Sequence, residues 1–178
     1  MKTVTGYNRK TGPVYVACLL GWLVCWSAMA LAQDCQLKKT TDEFTREPKL
    51  STGFFTVQNV TLSIDADKRD IDFFFSVGGH DKCFDTNSEL LILFEGNRTK
   101  NLFRNSGSMN CDGLFHVTVH NGPEAPYILK RLSTLKVASL KFTGNNKSET
   151  LITLNPAQQQ LLMNQAACMA RDAGTLVQ

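Results

Sequence analysis

The sequence predicts an α+β chain, mainly β, with antiparallel sheets in a sandwich-like stack and a C-terminal helix packed on one face. Three observations carry this expectation. Apolar and polar residues alternate in a series of short segments, each bounded by Gly, Asn, Asp or Pro. Two segments, IDFFFSV and ELLILFE, are apolar on both parities, so both of their faces need cover. A long helical spacing of apolar residues begins only at Asn155.

Residues 33–51 (QDCQLKKTTDEFTREPKLS) are polar and aperiodic and read as an extended N-terminal arm. In GFFTVQNVTLSID, Phe55 and Val57 are apolar at odd positions, and Val60, Leu62 and Ile64 at even ones. This is a strand whose parity changes at Gln58-Asn59, as at a bulge or bend. DADKRD is a turn by composition. IDFFFSV and ELLILFE are central strands, and Glu95-Gly96-Asn97 turns tightly into a strand from Thr99 to Phe103. After the loop RNSGSMN, LFHVTVH places Phe115, Val117 and Val119 on one face. GPEAP interrupts the sheet pattern, and YILKRLSTL carries Ile128, Leu129 and Leu132 at the spacing of one or two helical turns. KVASLKFT and ETLITL form a hairpin across Gly144-Asn145-Asn146-Lys147. The helix expected over 155–172 has Asn155 as its cap and Pro156 at its first position. Leu161, Leu162, Ala166, Cys168 and Met169 share one face, and Gly174 is a stop.

The chain begins with Lys2, Arg9 and Lys10 ahead of an apolar run from Val14 to Ala32, which closes on Ala30-Leu31-Ala32. This pattern reads as a cleavable signal peptide over residues 1–32, followed by a single β-rich domain over 33–178. An uncleaved membrane anchor is the competing interpretation. Three of the 19 basic residues and none of the 16 acidic ones lie before Gln33, so the remainder carries sixteen of each. With no basic excess to hold a phosphate backbone, nucleic acid is not an expected partner. No membrane span is expected after cleavage, and the expected location is secreted or periplasmic.

Past residue 32 there are four cysteines: Cys35, Cys83, Cys111 and Cys168. An even count in an exported chain predicts two disulfides, with three connectivities open. Their scatter, without CxxC or HxxxC spacing, argues against zinc or redox chemistry. If ELLILFE pairs with the strand after Gly96, the outer ends of that hairpin bring Cys83 to Cys111. Cys168, on the buried side of its helix, then pairs with Cys35 on the arm. Loop-closure entropy assigns about 3.6 kcal/mol to the shorter ring and about 5 kcal/mol to the longer, both as upper values.

No constellation of nucleophile, base and metal ligand is evident. His116 and His120 stand on a strand about 13 Å apart, too far for one ion. With Thr118 they form the solvated side of that strand and a candidate contact surface. His80 adjoins Asp81 and Cys83, but a thiol in an oxidising compartment is more often bridged than nucleophilic. The acidic run Asp65, Asp67, Asp70, Asp72 fails as a calcium loop: Asp70 stands where glycine is required and Ser76 where glutamate is. There is no GxSxG elbow and no phosphate-cradling glycine loop. No catalytic residue, cofactor or metal is therefore assigned. Three glycosylation sequons, at Asn59, Asn97 and Asn146, bear on a eukaryotic source only; about one or two arise by chance in such a composition.

The segment DCQLKKTTDEFT resembles the opening of uncharacterised small exported β-rich proteins of Bacteroidota. HDKCFDTNSELLILFEGNRTKNL is similar to their succession of cysteine, strand, short turn and strand, and LKRLSTLKVASLKFTGNNKSETLITL with its following helix is similar to their ending. The similarity spans most of residues 35–169. It implies a bacterial periplasmic or secreted protein and no particular activity. The function expected is thus that of an exported, disulfide-stabilised domain, a non-enzymatic binding or envelope protein of unknown ligand. The alternatives are a secreted hydrolase with a site around His80, Asp81 and His120, and a eukaryotic secreted glycoprotein.

Overall fold

Two antiparallel sheets share one hydrophobic core in a computed structural model that describes residues 36–79, 82–96 and 100–177. The strands are β1 (Lys38–Thr41), β2 (Pro48–Ser51), β3 (Phe55–Val57), β4 (Val60–Ala66), β5 (Asp70–Val77), β6 (Glu89–Phe94), β7 (Lys100–Arg104), β8 (Leu114–His120), β9 (Val137–Thr143) and β10 (Glu149–Thr153). The helices are α1 (Tyr127–Thr134) and α2 (Pro156–Asp172), the latter followed by a 3-10 turn over Ala173–Leu176. The first sheet runs β1-β2-β4-β5-β8, with β3 also on β4; the second runs β10-β9-β6-β7. The mainly β sandwich with a C-terminal helix packed against it is the fold class expected from the alternation.

Alternation decides which face of each strand is buried. Val60, Leu62 and Ile64 of β4, Ile71, Phe73 and Phe75 of β5, and Phe115 and Val117 of β8 point inward from the first sheet. Leu90, Ile92, Leu140, Phe142 and Ile152 meet them from the second. Phe75, Phe84, Phe115 and Phe142 join the two layers edge to face, with Phe115 and Phe142 centroids 5.4 Å apart. Helix α2 inserts Leu162, Ala166 and Met169 into the same core, and α1 adds Ile128, Leu129 and Leu132. Asn155 and Gln158 form a reciprocal capping box at the start of α2, each side chain accepting from the other's backbone N–H at 3.0 Å.

Three expectations are corrected. The stretch expected as an extended arm over 33–51 contains the β1–β2 hairpin, which pairs with β4 through Leu50–Ala66 and Ser51–Asp65. Its alternation was invisible because every residue of β1 is exposed and Leu50 alone of β2 is buried. The parity change at Gln58-Asn59 is a hairpin turn, not a bulge: Val57 pairs with Val60, and Gln58 takes a φ of 55°. A reversal of direction and a bulge produce the same parity signal. Finally, the consecutive apolar residues of β5 and β6 do not lie under two layers. Leu91 and Leu93 remain half-buried on the outer face of the second sheet, and half-buried Phe74 has ring contacts with Phe54 and His116.

The Cys83–Cys111 disulfide is present. It lies where the β6–β7 ladder runs on past its last pair: Asn105 N–H donates to Ser88 O (2.9 Å), and Phe84 and Asn110 exchange both backbone bonds (2.8 and 2.9 Å). Cys168 is half-buried on α2 and is also disulfide-bonded. Cys35 lies outside the described residues. Among the described residues no helix is long and apolar enough to cross a membrane.

Candidate functional site

The outer face of the first sheet gathers the polar and aromatic groups that the core does not use. Register makes the site. β5 pairs with β8 so that Asp72 stands opposite Thr118, Phe74 opposite His116, and Asp70 opposite His120. On the other side of β5, Asp72 faces Asp65 of β4 and Phe74 faces Ser63. The inward parity is filled by Phe73, Phe75, Phe115 and Val117, so these residues have only the outer face left to them.

Asp72 is the centre of the constellation. One carboxylate oxygen meets His116 Nδ1 at 2.9 Å, and the other accepts from Thr118 Oγ1 at 3.1 Å. Thr118 in turn shares a hydrogen bond of 2.8 Å with Ser106 Oγ. Ser63 Oγ donates to Asp65 at 2.7 Å in the adjoining row. The His116 ring lies against Phe74, centroids 5.0 Å apart, and Phe74 lies against Phe54 at 5.9 Å. Phe54 is 73% exposed. Asp72 and His116 are each about one-third exposed, so they meet solvent as a partly desolvated pair.

The segment after β7 supports this face. Buried Asn105 accepts through Oδ1 from His116 N–H at 2.9 Å, and Ser106 N–H donates to His116 O at 3.0 Å. Asn105 thus replaces a missing strand neighbour at the edge of β8. Because His116 directs its N–H and C=O away from β5, Thr118 and His120 do so as well, and past Ser106 no described strand pairs with that edge.

The carboxylate orients the imidazole through Nδ1, which leaves Nε2 for a ligand. The Thr118 hydroxyl bonds to Asp72 and the Ser106 hydroxyl to Thr118, and among the described residues neither bonds to the imidazole. The arrangement combines two acceptor-rich rows, an oriented imidazole and two aromatic rings. Of the three residues singled out in the sequence, His116 and Thr118 converge on Asp72; exposed His120 makes no side-chain bond among the described residues. His80 and Asp81 lie outside the described residues. Asp72, Phe74, Phe54, Ser106 and Asn105 were not found by sequence reasoning. Asp72 and Phe74 carried a signal, since they share the parity opposite to Phe73 and Phe75.

Elsewhere, a crevice of about 390 Å³ lies between Lys39, Thr40, Thr41, Pro48, Thr175 and Leu176 and holds no acid–base pair. No three described His, Cys, Asp or Glu side chains are placed to share a metal ion. No family model, no curated protein and no solved structure matches this chain.

Proposed function

We propose that this protein is an exported, non-enzymatic binding domain of the bacterial envelope or its exterior, which recognises its partner through the outer face of the first sheet around Phe54, Phe74, His116, Thr118 and His120. The observation that carries the reading is the Phe54–Phe74–His116–Asp72 chain of contacts: exposed aromatic surface beside an oriented imidazole, on a sheet face that no second layer of described residues covers. Export is supported by the Cys83–Cys111 bond, which persists in oxidising compartments, together with the signal-like pattern over residues 1–32. The bacterial assignment rests on the resemblance to exported Bacteroidota proteins.

Intact mass of the native protein tests export. The expected mass corresponds to cleavage after Ala32 and loss of four thiol hydrogens. A chain retaining residues 1–32, or one with four free thiols, would defeat the proposal. The same measurement separates a eukaryotic glycoprotein, for which one observation speaks: Asn59 and Asn146 both sit exposed at hairpin turns. Discrete glycan increments would establish that reading instead. Binding is tested by photo-crosslinking in the native host with a photoreactive residue at position 54 or 118 and a control at exposed Asn145. Discrete adducts at 54 or 118 and none at 145 are expected; the same yield at all three positions would remove the face from consideration.

A further inference from the structure

Among the described residues the second sheet ends in two unpaired strand edges, β7 and β10, whose backbone phase and charge are complementary. At one end, Asn105 N–H donates to Ser88 O in the same phase as the Phe103–Leu90 pair, so Asn101 and Phe103 bond to β6. Lys100, Leu102 and Arg104 therefore turn their N–H and C=O groups away from the sheet. At the other end, Leu154 N–H donates to Ala138 O (3.0 Å), which places Thr150 and Ile152 in hydrogen-bonded pairs with β9. Glu149, Leu151 and Thr153 then direct their backbone groups outward. Among the described residues the single bond to these six outward sets is from the Gln58 amide to Thr153 O, at 3.3 Å. All six side chains are exposed on the outer face, with Leu102 at 57% and Leu151 at 61%.

We propose that a second copy of this chain extends the sheet, its β10 adding antiparallel to β7 in the register Arg104–Glu149, Leu102–Leu151 and Lys100–Thr153. Every pair in β10-β9-β6-β7 is antiparallel, so β7 runs opposite to β10 and a second copy in the same orientation continues the alternation. In this register all three facing pairs are of the hydrogen-bonding phase, and Lys100 N–H takes the place of the Gln58 amide on Thr153 O. The outward row Leu151–Lys141–Leu91–Leu102 then runs on into the next copy's Leu151. Arg104 has no ion-pair partner among the described residues, and it meets Glu149 beside Lys141, which already contacts that carboxylate at 2.6 Å.

Charge selects this pairing over the symmetric ones. Two β7 edges together would set Lys100 against Arg104, a like-charge contact that disfavours pairing. Two β10 edges would set Glu149 against Thr153 and gain no ion pair. The β7–β10 contact is heterologous, so each copy keeps one edge free and the assembly grows beyond a dimer.

Sedimentation velocity of the full disulfide-bonded protein, from micromolar to millimolar concentration, tests the proposal. Wild type is expected to associate progressively with concentration. Arg104→Glu and Glu149→Arg are each expected to remain monomeric, because either change places like charges across the contact. Their equimolar mixture is expected to associate again, since each variant offers the charge the other lacks. Near-UV circular dichroism checks that the exposed substitutions leave the fold intact, and Leu151→Lys at the centre of the same edge is an independent break. Monomeric wild type at millimolar concentration, variants that associate as wild type does, or a mixture that stays monomeric would each overturn it.

Discussion

Asp42 closes the turn of the β1–β2 hairpin. Its carboxylate accepts from Lys49 Nζ at 2.7 Å and from the backbone amides of Thr45 and Phe44 at 2.9 Å each. The Lys49 bond first, then the two amides, hold its carboxyl well below the ordinary carboxylate range. A lowered folded value means that the stabilisation is fully present above the unfolded value, near 4, and is lost as pH falls through the folded one. Acidification below about pH 4 is therefore expected to release the β1–β2 hairpin ahead of the core. Amide exchange at Thr40 and Lys49, which bond across the hairpin, compared with that at Phe75 in the core, measures it. Asp42→Ala should show the same local loss at neutral pH. Asp72 gives a second prediction at this scale. With Nδ1 facing the carboxylate, neutral His116 is expected as the Nδ1–H tautomer, visible in long-range nitrogen–proton NMR spectra. Asp72→Asn should weaken that preference; an Nε2–H tautomer in wild type would contradict the geometry. Neither role was legible from the residues alone. Asp72 read as part of a failed calcium loop, and His116 as a solvated side chain, because both depend on which strand lies next to β5.

Elements differ in how much of them is local. Helix α2 was legible to its ends because its determinants are neighbours in sequence: Asn155 caps, Pro156 needs no bond at the first position, and Gln158 returns the cap. The β9–β10 hairpin was legible for the same reason. The β1–β2 hairpin was not, since a fully exposed strand has no apolar alternation to show. The Cys83–Cys111 bond sits between these cases. Its hairpin was readable, and the ladder from Leu90–Phe103 out to Phe84–Asn110 explains why the two thiols meet. Replacing both cysteines by serine is expected to cost up to about 3.6 kcal/mol. That corresponds to roughly 10 °C in the melting temperature of a domain of this size. Thermal melts of the double variant check it; an unchanged melting temperature would show that the hairpin needs no cross-link.

At the scale of the whole molecule, the aromatic cluster is where the two sheets depend on each other. Phe142 of the second sheet touches Phe75 and Phe115 of the first and Phe84 beside the disulfide. Phe142→Ala is expected to cost about 3–5 kcal/mol, since it removes transfer energy and leaves a cavity between two layers that cannot close independently. Denaturant titration reads it, and a cost below about 1 kcal/mol would mean that the cluster is not the joint described.

The sequence by itself determined the class of fold, the positions of most strands, both helices and the inward parity of the core, because periodicity and capping are short-range and are written in adjacent residues. Only the tertiary structure decided that β5 lies beside β8 with β6 and β7 carried to the opposite sheet, that the other described elements leave the outer face of each sheet uncovered, and that Asp72 meets His116 across 44 positions of chain. Strand neighbours are chosen by how two layers bury their apolar faces against each other. That choice is a property of the packed whole, and no single segment encodes it.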